Sequence, residues 1–168
     1  MRSELLNGGA YCRTAFAAIA KTATAGGAGD DTEVNTAWVD RMDDDYGMAM
    51  SAKLVIVYEA ALADTETLTF AGNFQDASDA AGSDAADYGT AIAATTVSSA
   101  DSAGSTNDGT IEIDVDLSAA KEFVRFQLTP NLSAGATDTL KWSATLVFFG
   151  GSRQPSSKAI ASVGGPTI

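Results

Sequence analysis

A chain of 168 residues with 22 acidic and 10 basic side chains carries a formal charge of -12, which sets it against a phosphate backbone and excludes the basic stripe that nucleic acid requires. It has no histidine and one cysteine, Cys12, so the commonest proton shuttle and metal ligand is missing and no intrachain disulfide is possible. With 45% hydrophobic residues it suffices for one domain with a core and is too short for two comfortable ones.

Residues 1–30 mix small residues with sparse apolar ones and read as an arm, in which Phe16 and Ile19 have the means to anchor a short helix or strand. Glu4 and Arg13 make this start unlike a secretory signal. "GGAGDD" (Gly26 to Asp31) matches six places of a calcium-binding nonapeptide repeat, but Glu33 stands where an apolar residue belongs and no second copy follows, so it reads as a loop. Val34, Thr36 and Trp38 share one face of a short strand, and "RMDDDYG" supplies a polar turn. Ala52, Leu54, Ile56 and Tyr58 then alternate with Lys53, Val55 and Val57; both faces are largely apolar, which predicts a central strand. After an "ADTE" turn, Leu68 and Phe70 face inward against Thr67 and Thr69, predicting a hairpin.

"QDASDAAGSDAADYG" is small and acidic and reads as a loop, followed by weak strand character through Ile92 and Val97 and a turn cluster from Asp101 to Gly109. Ile111, Ile113, Val115 and Leu117 alternate with polar residues, Ser118 to Glu122 interrupt them, and Val124, Phe126 and Leu128 resume the period. Leu140, Trp142, Ala144, Leu146 and Phe148 form the last strong strand face, before a Ser, Gly and Pro rich tail that should lack structure of its own. About seven to nine strands without a convincing helix predict an all-β, antiparallel, single-domain sandwich or jelly-roll-like fold. The expected organisation is an arm over 1–30, the sandwich over 31–150 and a tail over 151–168. Its open edges call for a cover, which an exchanged arm or an oligomer would supply.

Acidic clusters are the only candidates for chemistry. Consecutive carboxylates at Asp43, Asp44 and Asp45 point to alternate sides of an extended chain, and Asp76, Asp79, Asp84 and Asp87 are spaced too widely for a calcium loop. Phosphate-loop, nucleophile-elbow and zinc spacings are missing, so we expect no enzyme, no cofactor and no metal. No apolar run approaches the roughly 18 residues of a membrane span. Basic and apolar side chains concentrate in the arm of an otherwise acidic molecule, which makes Arg2, Leu5, Leu6, Arg13 and Phe16 the candidate contact residues.

The series "FAGNFQDASDAAGSDAADYG", "GTIEIDVDLSAAKEFVRFQLTP" and "SATLVFFGGSRQP" resembles a group of small tailed-bacteriophage virion proteins over roughly residues 47 to 155. That resemblance implies a structural β-sandwich of the virion, often a capsid decoration (cement) protein that clamps neighbouring capsomers, with the major capsid protein as partner. It implies synthesis in the host cytoplasm and residence on the capsid surface, for which a cyclic homotrimer is a suitable form. The alternatives are another virion part (tail tube, head-tail adaptor or head spike) and a carbohydrate-binding sandwich using Trp38 and Trp142.

Overall fold

The computed structural model describes residues 11–43, 47–133 and 137–151, and among them the regular elements are strands. These are β1 (Cys12–Thr24), β2 (Val34–Asn35), β3 (Val39–Asp40), β4 (Ser51–Leu62), β5 (Thr67–Ala77), β6 (Ala86–Ser99), β7 (Ser105–Asp116), β8 (Phe123–Leu132) and β9 (Thr139–Phe149). All pairings are antiparallel. One sheet has the order β1-β9-β4-β7; the other runs β2-β8-β5-β6, with β3 continuing beside β8. Packed face to face they form the expected β-sandwich.

The strong alternations map onto the core. β8 and β9 turn Val124, Phe126, Leu128, Leu140, Trp142, Leu146 and Phe148 inward, where they meet Leu54 and Ile56 of β4 and Leu68, Phe70 and Phe74 of β5. Trp142 stands edge-on to Phe70 at 6.0 Å, and Phe74 meets Phe126 at 4.6 Å. The two indoles therefore part company: Trp142 is core, while Trp38 is half-buried beneath Arg125, whose guanidinium lies 4.5 Å from its ring. Gly82 closes over that indole at φ +69°, where a Cβ would come within 2.6 Å of the ring. β4 is central as expected, but the face carrying Lys53, Val55 and Val57 is the outer surface of its sheet and not a second core.

Three expectations need revision. The turn between β4 and β5 is a corner between sheets and not a hairpin, because β7 and β9 already occupy both edges of β4. The acidic segment is a loop only in its middle: β5 runs to Ala77 and β6 starts at Ala86, so both ends of the segment are strand and 78–85 form the loop. Finally, the sandwich begins at Cys12 and not at residue 31, since β1 pairs with β9 along its length and buries Ala15, Ala17, Ala18 and Ala23. Bulges between Phe16 and Lys21 break its two-residue period, and Ala20 takes φ 48° there. Residues 1–10 and 152–168 lie outside the described residues.

Candidate functional site

The interrupted motif "DLSAAKEF" turns the chain from β7 in one sheet to β8 in the other, so it forms part of one end of the sandwich. Leu117 donates its amide to Met50 O at 2.8 Å and is fully buried, which plugs the turn into the core. Arg41 holds the rest. Its side chain is buried, and it donates from Nε to Lys121 O at 2.7 Å, from Nη1 to Ala49 O at 2.9 Å and from Nη2 to Ala120 O. One planar cation thus ties the turn to the segment that enters β4, with each carbonyl satisfied by a charged donor.

Lys121 fixes the neighbouring 78–85 loop. Its amide donates to Asp76 Oδ2 at 3.0 Å, and its ammonium lies 3.1 Å from Asp84 Oδ2 and 3.7 Å from Asp76 Oδ1. Asp84 also accepts from the amide and hydroxyl of Ser78, both at 2.8 Å; the Ser78 amide is the main cause that brings its carboxyl down to about 2. Asp79 accepts from Ser83 and Ala81 and is likewise lowered, chiefly by the Ser83 hydroxyl, while Asp87 accepts from Asn73 and Gln75. These carboxylates fasten backbone and neighbouring side chains, Asp76 and Asp84 sharing one ammonium, and among the described residues no three acidic or cysteine side chains gather as metal ligands. In the Gly26 to Asp31 turn, Asp30 is likewise occupied by the amides of Gly26 and Leu132.

Around this rim stand four of the five large apolar side chains exposed among the described residues: Met42 (45%), Met48 (46%), Met50 (40%) and Phe149 (37%). Backbone links keep them together, since Met50 N donates to Phe149 O at 3.1 Å and Ala49 N to Arg41 O at 2.9 Å. Flexible thioethers beside an aromatic ring make a surface that adapts to a partner. Of the candidate contact residues, Arg2, Leu5 and Leu6 lie outside the described residues. Arg13 is 7% exposed within β1, so its side chain belongs to the sandwich and not to a free arm. Phe16 is described by its backbone, opposite Thr145. Sequence reasoning passed over Arg41 and the methionines: both sit in or beside a charged turn whose residues look uniformly solvated.

A groove of about 470 Å³ opens on one flank, between β6 and β7. Phe74, Ile92, Ile113 and Val115 floor it, and Tyr88 bridges its end by donating to Asp116 O at 2.7 Å.

Fold and rim together define a β-sandwich domain with an apolar end and an acidic flank. No family model matches the chain, and no curated protein matches it in sequence. Solved structures similar in outline include the infectious bursal disease virus Gx strain (15% identity, TM-score 0.42, covering 87% of this chain and 33% of that one). The T13 particle of the same virus gives 12% identity and TM-score 0.48, with 87% and 32% covered. Dimeric latent PorU from Porphyromonas gingivalis gives 11% and 0.47, with 87% and 13% covered. This chain thus spans a third or less of each, and at such identities the likeness concerns the course of the chain alone.

Proposed function

We propose that this chain is a structural virion protein of a tailed bacteriophage, a decoration protein that sits on the outer shell and clamps neighbouring capsomers. The observation that carries the reading is the apolar rim of Met42, Met48, Met50 and Phe149, which stands beside the 117–122 turn and is tied to it where Leu117 N donates to Met50 O. Burying a patch of this kind contributes roughly 25 cal/mol per Å² of apolar surface, and a cyclic trimer would present three copies at once. The acidic body keeps free copies apart until the rim meets its complement, the major capsid protein. Arg2, Leu5 and Leu6 remain contact residues in this reading, and Arg13 leaves the set because it is buried.

Capsids lacking the protein supply the test. The Met48→Ser, Met50→Ser double variant should keep its melting temperature and solution mass yet bind capsids about tenfold more weakly, a loss near 1.4 kcal/mol. Deletion of residues 1–10 leaves β1 whole and reports on the arm separately. Undiminished binding by the double variant would refute the rim as the contact. Copy number in purified particles separates a shell component from a tail or adaptor part.

A further inference from the structure

β6 and β7 are edge strands of opposite sheets on the same flank, and neither pairs with the other. They touch at both ends, where Tyr88 donates to Asp116 O and Asn107 donates to Ser98 Oγ at 2.9 Å and Ser99 O at 3.1 Å. Between those bridges the core is open among the described residues. The burial patterns of β6 and β7 contain no fully buried residue, whereas β4, β5, β8 and β9 each bury several. Ile113 and Val115 face inward yet stay half-exposed over the groove, with Ile111 half-exposed beside them. β7 also pairs with β4 from Ser105 to Asp116 without a bulge, so its other edge is a straight row in which every second residue offers its N–H and C=O outward.

We propose that this edge receives an extended segment of a partner protein by strand addition, and that the segment is basic on one face and apolar on the other. Its apolar side chains would fill the groove over Ile113 and Val115, while its other face would lie beside the exposed carboxylates of Asp108, Glu112, Asp114 and Asp116. Of the cations near this row, Lys53 pairs with Glu112 at 2.6 Å and Asp114 at 3.0 Å, which leaves the row acidic. The charge also selects the occupant: two β7 strands of separate copies would set carboxylates against carboxylates, which disfavours self-pairing. At about 3.3 Å per residue, the stretch from Ile111 to Asp116 seats a segment of roughly six residues. The inference is independent of any role in a virion.

The test uses the full chain and a capped six-residue peptide alternating lysine and valine, followed by titration and by amide exchange. We expect saturable binding that weakens with salt and slows exchange of alternate β7 amides. The same peptide N-methylated along one backbone edge, and one with glutamate for lysine, should each bind at least about tenfold more weakly. Asp114→Lys, a substitution on the exposed face, should weaken the lysine peptide and strengthen the glutamate one. Equal binding of the N-methylated peptide, protection away from β7, or no binding of the lysine peptide would overturn the proposal.

Discussion

Replacing Arg41 with methionine keeps most of the aliphatic volume and removes the three donors that serve Ala49 O, Ala120 O and Lys121 O. The side chain is 3% exposed, so water does not simply take over. A hydrogen bond to a charged group contributes about 1.5–3 kcal/mol, and an acceptor left buried without a partner costs about 1–3 kcal/mol. Partial relaxation of a turn so near the surface brings the expected loss to about 3–5 kcal/mol, the range for breaking a buried charged network. For a chain of this size that is a fall of about 6–20 °C in melting temperature. Arg41→Lys should fall between, because one ammonium cannot reach three carbonyls in a planar fork. Urea unfolding and thermal melts read both variants. A shift below about 2 °C for Arg41→Met would refute the clamp.

Two further outcomes follow from the loop and the core. Asp84 titrates near 2 in the folded protein, below the ordinary carboxylate value, so its contribution to holding the 78–85 loop is fully present above about pH 4 and is lost as pH falls through about 2. Carboxyl NMR titration should show that midpoint, and Ser78→Ala or Lys121→Met should each raise it; an ordinary midpoint in the parent protein would remove the clasp. Trp142→Ala should destabilise by about 3–5 kcal/mol in urea, as expected for a buried aromatic, whereas Trp38→Ala forfeits a half-buried ring and an Arg125 contact of about 0.5–1 kcal/mol. Equal costs would mean that Trp38 is core as well.

Alternation was readable wherever a strand had one face in the core and large side chains to show it, as in 111–117, 124–128 and 140–148. It identified faces and not partners, which is why the corner at Ala63 to Glu66 read as a hairpin. β1 read as no more than a short helix or strand in an arm, because the apolar residues it buries among the described side chains are alanines and its bulges place Ala17 and Ala18 inward in succession. β6 showed only weakly, through Ile92 and Val97, because an edge strand with a few half-buried side chains and no fully buried one has little period to find. Arg41 was hidden by company, since nothing in "RMDDDYG" distinguishes an arginine directed at three carbonyls from a solvated one. The rim residues needed the fold itself, because Met42, Met48 and Met50 of the connector between β3 and β4 meet Phe149 at the far end of β9.

The strand order carries a consequence for the timing of folding. β9 lies between β1 and β4, so the first sheet cannot close until a strand near the end of the described chain is available. On the ribosome β1 and β4 must wait while most of the chain is made, and the local hairpin of β5 and β6 is the natural early structure. Closing pairs as distant as Cys12 with Phe149 places this protein among the slow, topology-limited folders, on the millisecond-to-second scale. During that interval β4, with Leu54, Val55, Ile56 and Val57 in a row and neither neighbour in place, is the segment most prone to pair with another nascent chain.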